Sequence, residues 1–109
     1  KDYIEGIKEF QDKFQIPLGS ICTAGSEGAV WYQNGELLHY PAYDIDAIDT
    51  TGAGDCFLGG LIYKYFFENS GKEDALQFGS AFAAIKCMQK GPRIKTSLED
   101  VNKFINAYR

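Results

Sequence analysis

At 109 residues the chain is long enough for one modest domain and too short for two. Its 15 acidic and 11 basic residues give a net charge of −4, which leaves no basic field to attract nucleic acid, and no apolar run approaches the roughly 20 residues that span a bilayer. With 45% hydrophobic and 15% aromatic residues, it carries enough apolar mass to close a packed core. Lys1-Asp2-Tyr3 opens an amphipathic segment and not a secretion signal. The three cysteines, Cys22, Cys56 and Cys87, form no CxxC pair, and His39 is the single histidine, so no zinc set is present. Such usage suits reduced thiols in a cytoplasmic protein.

In chain order, Tyr3, Ile4, Ile7, Phe10 and Phe14 fall at helical spacing among charged residues and predict a surface helix over 2–14, ended by Pro17 and Gly19. Ser20-Ile21-Cys22-Thr23 reads as a strand, Gly25-Ser26-Glu27-Gly28 as a turn and Ala29-Val30-Trp31-Tyr32 as a second strand. Asn34-Gly35 then marks a hairpin turn into a third strand, Leu37–Tyr40. Pro41 breaks the pattern, and Ile45 to Ile48 reads as one more short strand.

From Ala53 to Glu68 the positions Phe57, Leu58, Leu61, Ile62 and Tyr65 form one face of a helix. Gly59 and Gly60 inside it cost about 1 kcal/mol each against alanine, which makes sense where another backbone packs closely. Asn69-Ser70-Gly71 ends this helix. Residues 73–89 form the next, apolar nearly all round and so buried, ended by Gly91-Pro92. Thr96 and Glu99 read as a capping box, and Leu98, Val101, Phe104, Ile105 and Tyr108 as the inner face of a last helix. The order predicts an α/β layered structure with the strands between helices.

The chemically pointed stretch is Asp49-Thr50-Thr51-Gly52-Ala53-Gly54-Asp55. Gly52 and Gly54 let backbone N–H groups approach a ligand, and the helix that follows adds the positive end of its dipole. Together these form an anion hole. Asp55, in the first helical turn, can orient a hydroxyl and accept its proton as a bond to phosphorus forms. Taken alone, the same residues also describe a plain helix start with a carboxylate on the dipole. Asp44, Asp46 and Asp49 lie close together along the chain, a pattern that fits a solvated edge as well as a metal cluster. Trp31, Tyr32, Tyr40 and His39 read as sheet residues without a catalytic role.

Asp49, Thr50, Gly52, Ala53, Gly54, Asp55, Gly59, Gly60, Leu61 and Ile62 fill every constrained position of a known pattern: the stretch resembles the second signature of the ribokinase-like (PfkB) carbohydrate kinases. Thr23-Ala24-Gly25-Ser26-Glu27-Gly28 is similar to that family's T-x-G-x-x-G nucleotide loop. Phe78 to Ile85 resembles its alanine-rich helix, with Ser80 where many members carry Asn. Lys86 to Gly91 resembles the end of that helix, with Gln89 near a position that is often Arg. No Walker P-loop is present.

The resemblance runs from Ile21 to Phe104. It implies that residues 1–109 are the carboxy-terminal portion of a ribokinase-like three-layer α/β/α fold, whose amino-terminal half and β-lid lie outside this sequence. It implies an ATP-dependent phosphotransferase acting on a sugar hydroxyl, with Asp55 as catalytic base and Gly52, Ala53 and Gly54 as the anion hole. Thr23, Gly25, Ser26, Gly28 and Ser80 would bind ATP, and Mg²⁺ would neutralise its phosphates. Asp49 and Thr51 match the positions that hold a monovalent cation, K⁺. The partners implied are ATP, the sugar, the missing half of the kinase and a second copy in a homodimer. A nucleoside kinase of the same superfamily and a non-catalytic nucleotide- or anion-binding module are the alternatives. The chain by itself is expected to be inactive, and to self-associate or be marginally stable because an apolar sheet edge and face are left uncovered.

Overall fold

A computed structural model of the chain describes residues 2–91 and 96–108; Lys1 and Pro92 lie outside them. The elements are α1 (Asp2–Phe14), β1 (Ser20–Thr23), β2 (Ala29–Gln33), β3 (Glu36–Tyr40), α2 (Ala53–Ile62), α3 (Lys72–Cys87) and α4 (Leu98–Ala107). A 3-10 turn at Gly25–Glu27 separates β1 from β2, and α2 runs on into a π-helical turn at Tyr63–Phe67.

The strands form an antiparallel meander in the order β1-β2-β3. The β2–β3 hairpin closes through Asn34 and Gly35, both at positive φ (53° and 79°), as a two-residue loop matched to strand twist requires. In this register Ser20 faces Tyr32, Trp31 faces Leu38 and Ala29 faces Tyr40. Alternation along β2 then decides the layering. Val30 and Tyr32 point to one side and pack against Ile7 of α1. Ala29 and Trp31 point to the other and meet Phe57 and Leu61 of α2 and Ala75 and Leu76 of α3. The strands thus lie between helices, as the sequence order predicts. A further cluster joins Phe78, Ala81 and Ile85 of α3 to Val101 and Ile105 of α4.

The α1 side is also pinned by polar bonds. The Ser20 hydroxyl donates to Gln11 Oε1 at 2.5 Å, and Gln11 Nε2 donates to the Ile16 carbonyl at 2.7 Å. β1 is an edge strand. Beside it, between α1 and β1, runs a groove of about 540 Å³ lined by Tyr3, Ile7, Phe10, Ile16, Ile21 and Cys22.

Helices α2 and α3 meet at two glycines. A Cβ on Gly60 would lie 3.2 Å from Gly79 Cα and 3.2 Å from Phe82 Cβ, and one on Gly79 would lie 2.7 Å from the Phe57 carbonyl oxygen. The backbone approach expected at Gly59-Gly60 is therefore made by Gly60. Gly59 is exposed and a Cβ there would meet nothing within 4 Å.

Four expectations need correction. Ile45 to Ile48 is not a strand: residues 41–47 adopt no regular structure, and Ile48 is 67% exposed. The amides of Ile48 and Asp49 donate instead to the Cys87 carbonyl at the end of α3, at 2.6 and 3.0 Å, so no ladder partner is needed. The helix from Ala53 changes pitch after Ile62; Glu68 N–H reaches back five residues to the Tyr63 carbonyl at 3.1 Å. Within this wide turn Tyr65 packs edge-on to Trp31, with ring centroids 5.0 Å apart. The capping box of α4 sits one residue later than expected. Ser97 Oγ accepts from the Asp100 amide at 3.1 Å and Asp100 Oδ2 accepts from the Ser97 amide at 3.4 Å, while Glu99 pairs along the surface with Lys103. α3 also stops at Cys87, two residues short of the expected end.

The two glycine environments predict substitutions of opposite sign. Gly59→Ala raises stability by roughly 0.5–1 kcal/mol through helix propensity alone. Gly79→Ala lowers it by about 1–3 kcal/mol, because the new methyl meets a backbone carbonyl that cannot rotate away. Midpoints of urea unfolding for the two variants check this, and a stabilising Gly79→Ala would refute the close seam.

Candidate active site

Helix α2 begins at a left-handed residue. Gly52 has φ 82° and ψ 2°, a backbone state that a side chain would strain, and it caps the helix without any side-chain bond. The Thr50 carbonyl accepts from the Ala53 amide at 3.1 Å and the Gly52 carbonyl accepts from the Cys56 amide at 3.0 Å. The amides of Gly54 and Asp55 occupy the second and third helical positions, where the geometry of an α-helix supplies no internal acceptor. They lie at the positive end of the helix dipole. Asp55 is exposed in the same turn. Two donors without an internal helical acceptor and a carboxylate therefore share one turn of backbone. The Ala53 amide, also expected in the anion hole, is engaged by Thr50.

The turn before this helix is held by Asp49. One carboxylate oxygen accepts from the Thr51 amide and the other from the Gly91 amide, both at 2.9 Å. Hydrogen bonding from the Thr51 side chain, then from the Thr51 and Gly91 backbones, holds the Asp49 carboxyl down at about 2, with a smaller attraction from Lys86. Lys86 is fully buried at 0% exposure, and its Nζ donates to the carbonyl oxygens of Asp49 at 3.4 Å and Gln89 at 3.3 Å. The end of α3 thus grips the Asp49 turn through Lys86, the Cys87 carbonyl and Gly91. Nearby, burial pushes the Cys56 thiol up, against the attraction of Lys86 and with smaller contributions from Asp55 and Cys87.

The glycine loop is a second preformed feature. The Ala24 amide donates to the Gly28 carbonyl at 2.8 Å, Glu27 to Ala24 at 2.9 Å and Gly28 to Gly25 at 3.1 Å. Gly28 has φ 97° and is buried; a Cβ there would run into the Tyr40 carbonyl oxygen and lie 2.9 Å from Pro41 Cα. His39 Nε2 pairs with the Glu27 carbonyl at 2.8 Å, so His39 anchors the loop from β3. Thr23 is exposed at the end of β1 and Gly25 is exposed in the turn; the side chain of Ser26 lies outside the described structure. Ser80 is half-buried on α3, two turns before Cys87 on the same face.

The expected residues therefore fall into three groups: Asp49 to Asp55 in one turn, Thr23 to Gly28 in one loop, and Ser80 on α3. Lys86 is the member that reading the sequence missed; His39 keeps its expected place on β3 and adds a contact to the loop. For Lys86 the available signal was its phase: it lies on the α3 stripe that carries Ala75 and Gly79, both buried against neighbouring elements. Among the described residues no three His, Cys, Asp or Glu side chains gather as a metal site, which removes the Asp44, Asp46, Asp49 cluster. Among them, too, no helix is long and apolar enough to cross a membrane.

Comparison with known proteins gives a consistent result. The family described as pfkB family carbohydrate kinase matches residues 3–99. The chain is similar to the deoxyribokinase of Salmonella typhi, 33% identical over 87 residues that make up 79% of this chain and 28% of that protein. The fold superposes on the ribokinase of Thermotoga maritima with a TM-score of 0.83 at 29% identity, covering 94% of this chain and 34% of that one. It also superposes on a protein from E. coli assigned as a ribokinase II and solved in complex with ATP and Mg²⁺, with a TM-score of 0.70 at 34% identity over 76% of this chain and 27% of that one. The chain spans about a third or less of the length of each of these proteins.

The depressed Asp49 carboxyl carries a pH signature. A group near 2 in the fold and roughly 3.9 when unfolded stabilises the fold above the higher value, and that contribution is lost as pH falls through the lower one. The difference in urea midpoint between the wild type and Asp49→Asn is expected to stay level above about pH 5 and to shrink from about pH 4 towards 2. A difference that keeps its full size at the acid end would show that the carboxylate is not held as an ion.

Proposed function

The chain belongs to the pfkB family of carbohydrate kinases, and on that premise we propose that it forms the carboxy-terminal, phosphate-side portion of an ATP-dependent sugar kinase, with Asp55 as the catalytic base. One observation carries this reading: after the left-handed Gly52, the Gly54 and Asp55 amides, which have no internal helical acceptor, share one turn of α2 with the exposed Asp55 carboxylate. Amide donors at a helix start suit a phosphate group, and a carboxylate in the same turn suits the hydroxyl that attacks it.

The Asp55 carboxylate orients the sugar hydroxyl and takes its proton. The hydroxyl oxygen forms its bond to the γ-phosphorus, and the bond from that phosphorus to the bridging oxygen breaks, with ADP leaving on the electron pair. An ionised carboxylate is a weak base, so proton transfer comes late, when the oxygen–phosphorus bond has already acidified the hydroxyl. The Gly54 and Asp55 amides, in the turn shaped by Gly52 and Ala53, stabilise the charge on the transferring group. The loop of Thr23, Gly25, Ser26 and Gly28, together with Ser80, lines the nucleotide. Mg²⁺ bound with the triphosphate would supply charge neutralisation at its oxygens. The sugar itself is recognised by parts of the protein outside this chain.

In the whole protein that contains this chain, Asp55→Asn is expected to lower kcat roughly 10²–10⁴-fold while KM for ATP moves no more than a few-fold. Turnover within a few-fold of the wild type would exclude Asp55 as the base. Titration of this chain with Mg·ATP, followed through the backbone amide NMR signals of Gly25, Gly28 and Gly52 to Asp55, tests the phosphate side separately. Saturable shifts confined to those amides are the expected result.

A further inference from the structure

Lys86 is a buried cation that the proposed reaction does not use. Lysines at a helix end often bond its last carbonyls, and the bond to Gln89 is of that kind. The bond to Asp49 is different, because it crosses from α3 to the turn before the phosphate site. A wholly buried ammonium is costly to desolvate and normally has a carboxylate partner. Among the described residues no carboxylate oxygen lies within ion-pair distance of Lys86, and its partners are backbone carbonyl oxygens. Carbonyl oxygens converging from a turn and a helix end are the ligands a protein offers a desolvated monovalent ion.

Asp49, the first of the two residues expected to hold K⁺, already has its oxygens engaged. The Asp49 carbonyl oxygen is taken by Lys86, and both Asp49 carboxylate oxygens already accept amides at 2.9 Å. A second cation on the same turn would sit beside a buried like charge, in surroundings that screen it poorly. We infer that Lys86 is a resident monovalent cation: its ammonium, clamped on the Asp49 and Gln89 carbonyls, positions the turn leading to Gly52 and replaces a bound K⁺ at Asp49 and Thr51. Lys86 is a positioning residue and touches no reactant. The inference rests on the reading of residues 49–55 as a phosphate site only for its effect on turnover.

The test compares the whole protein with its Lys86→Ala variant, which opens the space the ammonium fills. Both are measured at constant ionic strength in potassium, ammonium and tetramethylammonium chloride, the last being too bulky to enter. The wild type is expected to show the same thermal midpoint and the same turnover, within two-fold, in all three salts. Lys86→Ala is expected to melt lower and turn over at least tenfold slower in tetramethylammonium, and to regain both saturably with potassium or ammonium. Loss of charge by a merely structural lysine would give no such cation-specific rescue. Activation of the wild type several-fold by potassium overturns the inference, as does a Lys86→Ala midpoint that is the same in every salt. Should Lys86→Ala fail to fold, Lys86→Met keeps the packing without the charge; it supports the inference if turnover falls tenfold in all salts with the fold intact, and overturns it if turnover stays at the wild-type level. Should the wild type phosphorylate no sugar in any salt, the reading of Asp55 falls, while the salt dependence of the two melting curves still decides the role of Lys86.

Discussion

The seam between α2 and α3 is the constraint on which the rest of the structure depends. Two helices approach this closely only where side chains are missing, and Gly60 and Gly79 supply the gap. The backbone of α2 then lies against α3, with the Phe57 carbonyl over Gly79. Two turns further along α3, on the same face, stands Lys86. Its Nζ reaches the Asp49 carbonyl because the seam has already set the spacing. The start of α2, where the phosphate chemistry is proposed, is therefore positioned by packing along its length and by a cationic clamp just ahead of it.

The same arrangement suits an acidic chain to the anionic substrate proposed for it. The net charge of −4 offers no general attraction, so binding must come from local donors. The turn from Asp49 to Asp55 separates the two signs. Asp49 is neutralised by amides from Thr51 and Gly91 and by the nearby ammonium, whereas Asp55 stays exposed in the turn that carries the open amides. Two carboxylates six positions apart in the same motif thus take different work: one builds the turn, and the other faces the solvent side where a hydroxyl would arrive.

Much of this was legible in the sequence because it is local. The hairpin at Asn34-Gly35, the three strands and the glycine-bounded motif at 49–55 each depend on a few neighbouring residues whose chemistry allows little else. The misreadings share one cause, competition settled by tertiary partners. Ile45 to Ile48 is short and apolar enough to read as a strand, yet the Cys87 carbonyl captures the amides of Ile48 and Asp49. Thr96–Glu99 and Ser97–Asp100 are overlapping capping frames that sequence alone cannot rank. The π turn after Ile62 leaves the apolar spacing nearly unchanged and so left no mark. A lone lysine in an apolar helix is ordinarily solvent-exposed, and only the phase of Lys86 with Ala75 and Gly79 points inward.

The clamp on Asp49 joins distant parts of the chain. Its bonds to Lys86 and Gly91 close loops of 37 and 42 residues, whereas the hairpin closes over two. Chain entropy opposes the longer closures more strongly, and they gain support only once α3 is docked. The hairpin closes locally, whereas the turn at Asp49 is held by the end of α3. For a ligand of the kind proposed at the Gly52 turn, shielding of the Gly91 amide from solvent exchange becomes an indirect gauge of occupancy, although Gly91 stands some forty residues downstream.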